Sequence, residues 1–310
     1  MLSIKFSMKI HILLFLSLSA ILSAEPLTEL KLLSIGNSYT VNAHSLLRHI
    51  IANHGKAKAV IGMAQIGGCT FERHWKEHLK SEEKPEHKPY KYNGKPMSLR
   101  DYLTAEKWDV VTIQSQSLQA SQPETWQPYL DNILALVKEL APQAKIVLYR
   151  TWAYRADHGL FKKNDGFTAE KMNEKIGQAF AELSKKLGNA PIIPAGDAIW
   201  AAYQEEPVKL VVPDPDFDYK NPVYPNLPKQ DGSLHNGYRW SKNKKKQDEW
   251  NLGFDASHLN VRGRYLIGCL FYAFLFQQDI TDLTWAPKGI SAEDAAFLRG
   301  IAMKYAKPRS

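Results

Sequence analysis

The stretch LLSIGNSYT, residues 32–40, joins an apolar run to a glycine and a serine. The run from Leu32 to Ile35 is typical of a strand that is buried on both faces of a sheet. It stops at Gly36, and Ser38 follows two residues later. Such an ending has two interpretations: a plain turn, or a nucleophile presented at the edge of a sheet.

Strand-like and helix-like segments alternate along the rest of the chain. Short apolar runs predict five strands, at residues 31–36, 58–65, 108–114, 144–150 and 190–196. Apolar residues at helical spacing predict helices at residues 44–55, 126–140, 169–188, 262–276 and 291–306. This alternation is typical of an α/β fold in which helices cover both faces of a parallel sheet.

Two stretches depart from the alternation. Residues 71–100 are rich in charge and predict a loop-rich region. Residues 205–254 hold six prolines together with tyrosines, tryptophans and a lysine run, and predict an insertion. A loop this long inside a compact domain is usually functional or disordered. Its aromatic residues would suit stacking on sugar rings, and the alternative is an ordered surface insertion.

Residues 1–24 have the pattern of a secretory signal peptide. Lys5 and Lys9 form a basic region before an apolar stretch at 10–22. Ser23 and Ala24 then supply small residues for cleavage. We therefore expect an exported protein, periplasmic or extracellular, with no stable membrane insertion after cleavage. The alternative is an N-terminal membrane anchor. Residues 25–310 are then expected to form a single α/β domain with the insertion.

Charge and cysteine content limit the partners and the type of scaffold. The net charge of +8 falls to +6 when the two lysines of the signal are removed (+8 − 2 = +6). This mild basicity indicates solubility, and we expect no nucleic-acid partner. With only Cys69 and Cys269 the chain is not a disulfide scaffold, and one bridge between them stays open.

Residues able to carry chemistry follow the predicted strands. Ligands of open α/β sheets bind at the carboxyl ends of the strands. The residues expected there are, in chain order, Ser38, Gly67, Gly68, Gln114, Gln116, Trp152, Tyr154, Arg155, Asp255 and His258. A serine, a glycine pair, two amides and an Asp/His couple on one rim suit acyl transfer.

Each step of acyl transfer has a candidate residue. A serine hydroxyl needs a base to take its proton, and His258 is the candidate base. Asp255 lies three residues before it and would hold the imidazole in the right tautomer. The developing oxyanion needs fixed donors, for which we expect the Ser38 amide, a Gly67 or Gly68 amide, and a glutamine side chain. No metal or organic cofactor is expected.

Three short blocks carry a resemblance to a known family. IGNSYT (35–40), QIGGCT (65–70) and FDASHLN (254–260) resemble the conserved blocks of the SGNH, or GDSL-type, hydrolases. The resemblance implies a flavodoxin-like, doubly wound, five-stranded parallel sheet, a Ser–His–Asp triad at Ser38, His258 and Asp255, and ester hydrolysis. The family usually carries Gly-x-Asn-Asp in its third block. Here the corresponding strand ends TIQSQS, so Gln114, or else Gln116, is expected to replace the asparagine.

The substrate expectation follows from this resemblance, from secretion and from the aromatic insertion. Many family members deacylate carbohydrates, so we expect an O-acylated, most simply O-acetylated, poly- or oligosaccharide. The residues expected to contact it are Asn37, Trp152, Tyr154, Arg155 and Trp240. The alternatives are a lipid or aryl esterase of the same fold and a non-catalytic carbohydrate-binding protein.

A second motif favours a different class of enzyme. HWKEH, residues 74–78, reads His-x-x-Glu-His, the inverted zincin pattern that places two histidines on one helical face. A zinc site would need a third ligand, and no downstream glutamate on a helix is evident. A helix with exposed polar residues explains the motif better.

Overall fold

A five-stranded parallel sheet lies at the centre of the chain. The computed structural model describes residues 26–164, 166–246 and 248–307. The sheet consists of β1 (Glu29–Gly36), β2 (Lys58–Gln65), β5 (Val110–Ile113), β6 (Lys145–Arg150) and β7 (Ile192–Pro194). Its strand order is β2-β1-β5-β6-β7, and every neighbouring pair is parallel. The predicted five-stranded parallel sheet is therefore confirmed.

Helices cover both faces of the sheet. One face packs against α1 (Ser38–His54), α7 (Ala195–Glu205), α8 (Val261–Phe276) and α9 (Ala292–Ala306). The other packs against α2 (Phe71–Glu83), α3 (Leu99–Thr104), α4 (Tyr129–Leu140) and α6 (Ala169–Lys186). Strand β1 serves both, because successive side chains of a strand point to opposite faces: Leu32 joins the first core and Leu33 the second. The doubly wound architecture is confirmed.

The prediction that residues 71–100 are rich in loops is wrong. This stretch contains all of α2 and a short hairpin of β3 (Tyr90–Tyr92) and β4 (Lys95–Met97), and α3 begins at its end. Thr70 caps α2 by accepting from the Arg73 amide at 3.1 Å. The helix buries Phe71 together with polar residues such as His74, so its buried face does not read as apolar in the sequence.

Helix α1 starts earlier than predicted, and helix α7 was not predicted. Helix α1 begins at Ser38, six residues before the predicted start, because its first turns bury polar residues such as Thr40 and Asn42. Helix α7 follows β7 directly and was not predicted. The short helix α5 (Gly159–Lys163) lies in the connection after β6.

The predicted insertion projects from the rim that carries the site. Residues 206–234 form an irregular loop, and β8 (His235–Lys242) and β9 (Trp250–Leu259) form an antiparallel hairpin. Strand β9 leads straight into α8.

Among the residues that the structure describes, no helix combines the length and apolar character needed to cross a membrane. The predicted signal peptide, residues 1–24, lies outside the described residues.

Candidate active site

Ser38 stands where strand β1 passes into helix α1. Asn37 caps the helix: its Oδ1 accepts from the Tyr39 amide at 3.0 Å. Ser38 is therefore the first helical residue, at the positive end of the helix dipole. A Cβ at Gly36 would collide with the side chains of Gln114 and Thr40, which explains why the buried strand ends on glycine. The turn at Gly36 and Asn37 therefore places Ser38 at the start of α1, directly after the sheet.

Ser38, His258 and Asp255 form one hydrogen-bonded chain. The Ser38 Oγ lies 2.8 Å from His258 Nε2, across 220 residues of sequence. The His258 Nδ1 lies 3.1 Å from both carboxylate oxygens of Asp255. With Asp255 accepting at Nδ1, the Nδ1 carries the proton and Nε2 is free to accept from Ser38. This is the geometry of a nucleophile, a base and an orienting carboxylate.

The Asp255 carboxylate is held by several donors. Its Oδ1 accepts from the His258 amide at 3.0 Å and from the Ser257 amide at 3.2 Å. Its Oδ2 accepts from Asn236 Nδ2 at 2.9 Å, presented from a β-bulge in β8. Burial raises the pKa of Asp255, but the hydrogen bonds from His258 and Asn236 outweigh it, and the net pKa lies well below the usual range. Asp255 is therefore ionised at neutral pH.

Hydrogen bonds hold the loop that carries Gly67 and Gly68 beside Asn37. The loop 66–69 is tied at both ends: the Ile66 amide donates to Gly36 O at 3.3 Å, and Asn37 Nδ2 donates to Cys69 O at 3.1 Å. Gly68 has φ +64°, a left-handed conformation that favours glycine. Gly67 and Gly68 are exposed, and among the described residues nothing accepts from their amides. These amides are available to an oxyanion.

The two candidate glutamines are engaged with the protein. In the orientation that satisfies its hydrogen bonds, the buried Gln114 accepts from Asn37 N at 2.8 Å, and its nitrogen donates to Ser115 O at 3.0 Å. Gln116 Nε2 donates to Ser117 Oγ at 3.0 Å, and its oxygen accepts from two backbone amides of the following turn. Gln114 thus supports Asn37, and the third oxyanion donor expected from the sequence stays a prediction.

Two of the expected substrate residues are buried supports. Trp152 is fully buried, and its Nε1 donates to Ser257 O at 2.8 Å. Arg155 is 2% exposed; its guanidinium pairs with Asp157, and its amide donates to Ala256 O at 2.8 Å. Both residues therefore hydrogen-bond the part of β9 between Asp255 and His258, and their buried side chains do not face a substrate.

The other three expected substrate residues lie at different depths. Asn37 is 2% exposed and serves the helix cap and the glycine loop. Tyr154 is half-buried, and its hydroxyl hydrogen-bonds Ser117 Oγ at 2.7 Å. Trp240 lies out on the hairpin, where its Nε1 donates to Asn226 O at 2.8 Å. Of the three, Tyr154 keeps a partly accessible ring on the rim of the site.

Residues that the sequence did not single out complete the support. Asn42 joins the two halves of the site: its Nδ2 donates to Ser38 O at 3.0 Å, and its Oδ1 accepts from the Leu259 amide at 2.7 Å. The Tyr39 ring stacks on Trp152 at 4.3 Å and meets the His258 ring edge-on at 5.8 Å. Tyr39 lies inside the IGNSYT block and Asn42 lies two residues after it, but neither residue type marks this supporting role.

The HWKEH motif lies beneath the site and supports it. His74 Nε2 lies 3.0 Å from Gly36 O and so carries the proton, while Nδ1 accepts from the Tyr90 hydroxyl at 2.9 Å. Burial lowers the pKa of His74 to about 4. Glu77 pairs with His87. In the described part of the chain no three His, Cys, Asp or Glu side chains group as metal ligands. His74 holds the end of β1.

The two cysteines are separate and buried. Cys69 and Cys269 are both free thiols in the structure. Burial raises the pKa of each thiol to about 12, so both stay protonated at neutral pH. The bridge that the sequence left open is not formed.

Comparison with known proteins places the chain in a family. The model of the DUF4886 family, described as a domain of unknown function, matches residues 31–208. This is more than half of the chain, which therefore belongs to the DUF4886 family. Among curated proteins, no sequence matches this chain.

Solved structures support the fold. A crystal structure of a DUF4886 family protein from Bacteroides uniformis is similar over 89% of this chain and 94% of that chain, with 23% identity and a TM-score of 0.65. At that identity the likeness concerns the fold alone.

More distant similarities also occur. The acetyl xylan esterase AlAXEase has 15% identity and a TM-score of 0.35, over 53% of this chain and 76% of its own. A lipase/acylhydrolase from Enterococcus faecalis has 15% identity and a TM-score of 0.33, over 55% of this chain and 78% of its own. Similarities this low carry no argument about activity.

Proposed function

We propose that this protein is a serine ester hydrolase. The observation that carries the proposal is the hydrogen-bonded chain from Ser38 Oγ through His258 to Asp255. A surface histidine that met a turn serine by chance would not also be braced by Asp255 and by the supports of the preceding section. The preservation of all three side chains speaks against a non-catalytic binding protein.

The proposed reaction has two halves. Ser38 Oγ attacks the ester carbonyl carbon while its proton passes to His258 Nε2, and the carbonyl electrons move to the oxygen. The Ser38 amide and an amide of Gly67 or Gly68 stabilise the oxyanion. His258 then protonates the leaving alcohol as the ester bond breaks. A water, deprotonated by His258, releases the acid from Ser38.

The substrate proposed is an O-acetyl ester on a poly- or oligosaccharide, met outside the cytoplasm. Support comes from the sequence: the signal-like residues 1–24 and the resemblance to SGNH hydrolases. Asp255 orients the His258 imidazole to take the Ser38 proton, a mechanism for which no metal or organic cofactor is proposed. An aryl or lipid ester is the alternative substrate.

The proposal is tested with two substrates and two variants. The wild type, Ser38→Ala and His258→Ala are assayed with 4-nitrophenyl acetate and for acetate release from acetylated polysaccharides, each with and without EDTA. We expect both variants to lose roughly a thousandfold or more in kcat/KM, and EDTA to have no effect.

The outcomes separate the parts of the proposal. Full activity in Ser38→Ala would contradict a serine mechanism. Loss of activity with EDTA would favour the metal alternative. Turnover of 4-nitrophenyl acetate without acetate release from any polysaccharide would keep the esterase and shift the substrate to aryl or lipid esters.

A further inference from the structure

The aromatic residues of the insertion mostly pack on one another. Tyr224 stacks on Trp250 with ring centroids 4.1 Å apart, and Lys242 Nζ lies 5.7 Å from the Trp250 ring centroid. Trp240 meets Tyr224 edge-on, and its Nε1 is already bonded. These contacts fix the loop 206–234 to the hairpin. They leave the insertion a poor platform for stacking on a sugar.

A different surface offers accessible aromatic rings. Between α5, the N-terminus of α6 and α7 lies an open groove of about 680 Å³, within the roughly 300–1,000 Å³ of small-molecule sites. Its aromatic lining consists of Phe161, Phe167 and Trp200, all half-buried. Exposed polar groups stand beside these rings, namely Lys162, Lys163, Thr168 and Glu170. We call this surface the α5–α7 groove.

Trp200 carries an unused donor in this groove. In the part of the chain that the structure describes, no acceptor takes a hydrogen bond from its indole nitrogen. The indoles of Trp108, Trp126, Trp152 and Trp240 donate to backbone carbonyls, whereas those of Trp75, Trp250 and Trp285, like that of Trp200, donate to no described residue. Trp200 also lines a smaller neighbouring cavity of about 220 Å³, which reaches back to the residues after β6. An aromatic face with a free donor beside it suits a ligand that has both C–H faces and hydroxyls.

A line of rings leads from the groove to Tyr154, on the rim of the site. The Tyr154 and His158 rings lie 4.4 Å apart, and His158 and Phe161 lie 6.1 Å apart. At the other end of this line, Tyr154 bonds Ser117, four residues after the end of β5. Burial lowers the pKa of His158, while the charges of Asp157 and Asp255 raise it, so His158 lies within electrostatic range of the triad carboxylate. Strand β1 leads to Ser38 and strand β6 leads to Tyr154, and the two strands are two spacings apart, roughly 10 Å.

We propose that the α5–α7 groove is a carbohydrate subsite that binds sugar rings of the substrate on the alcohol side of the ester. This inference rests on the proposed function and adds where the polymer binds. Sugar rings stack on Phe161, Phe167 and Trp200, and their hydroxyls meet the Trp200 indole N–H and the neighbouring lysines. A long acyl chain would require an enclosed apolar pocket, whereas this groove is open and partly polar.

The test compares a polymer with an ester that has no sugar. Trp200→Ala and Phe167→Ala are assayed on the best substrate among acetylated xylan, glucomannan and pectin, and on 4-nitrophenyl acetate. Trp250→Ala on the hairpin is the matched aromatic control. We expect Trp200→Ala to raise the polymer KM about tenfold with kcat and 4-nitrophenyl acetate turnover unchanged. Phe167→Ala should raise it by a smaller factor, which guards against a fold defect in one variant.

A binding arm separates this inference from the proposed function. The Ser38→Ala protein is titrated with the deacetylated oligosaccharide of the same glycan, and binding is measured by calorimetry. Binding that Trp200→Ala weakens in the same background supports the groove even if turnover is low. Unchanged polymer KM and unchanged binding in both groove variants overturn the groove while Ser38-dependent ester turnover stands. A KM effect seen only in Trp250→Ala moves the subsite to the hairpin.

Discussion

Asn236 offers a sharp test of the proposed triad because it acts on Asp255 without touching Ser38. It donates to Asp255 Oδ2 at 2.9 Å, and Asn236→Ala removes this one donor. A hydrogen bond to a charged group contributes about 1.5–3 kcal/mol, so the loss of this donor raises the pKa of Asp255. Because that pKa starts well below the usual range, Asp255 stays ionised at pH 7. The loss at neutral pH therefore comes from orientation of the carboxylate alone.

The expected effect is consequently small and specific. A loss of about 1 kcal/mol in the transition state lowers kcat/KM for 4-nitrophenyl acetate about fivefold. Asn236→Asp places a second carboxylate against Asp255, and the added negative charge favours the protonated form of the imidazole. We expect the acid limb of its pH–rate profile to move to higher pH, a change that a merely structural role would not produce.

The assay is kcat/KM across the acidic and neutral range for the wild type and both variants. Asn251→Ala, on the exposed part of the same hairpin, is the control, and the thermal midpoint of each protein is measured by circular dichroism. Wild-type rates in Asn236→Ala together with an unmoved acid limb in Asn236→Asp would refute the assignment of Asp255 as the residue that orients His258.

Three further predictions concern the supports of the site. Trp152→Phe keeps an aromatic ring against Tyr39 but removes the N–H donor to Ser257 O and part of the buried indole volume, so kcat should fall about three- to tenfold in steady-state assays, with KM unchanged. Asn42→Ala removes the hydrogen bond that joins α1 to the Leu259 amide at the end of β9. The free energy of unfolding in urea should fall by about 1–3 kcal/mol, and kcat should fall as well. Burial lowers the pKa of His44 and of His235 to about 3, so both are neutral when folded and gain protons on unfolding below about pH 6.5. Stability from these two residues is complete above that pH and should fall as pH drops toward 3, by up to about 1.4 kcal/mol per unit for each, a slope that urea unfolding as a function of pH would measure.

The sequence anticipated the features that depend on local pattern. Short apolar runs located all five strands of the sheet, since a strand buried on both faces has few alternatives in composition. The spacing of Asp255 and His258 was also informative, because three residues let one carboxylate accept from the His258 amide and from its ring. The early start of α1 and the helix α2 were not predicted. Their buried faces include polar residues such as Thr40, Asn42 and His74, so the apolar pattern of a helix is missing.

The sequence by itself thus determined the alternation of elements, the glycine that ends β1, and the residue types of the proposed triad. Only the tertiary structure decided which polar side chains are free. It buried Trp152 and Arg155 as supports, engaged Gln114 with Asn37, and turned the insertion's aromatic rings onto one another. The physical reason is that hydrogen bonding and burial depend on partners far apart in the chain. The bond between Ser38 and His258 spans 220 residues, and no local pattern records it.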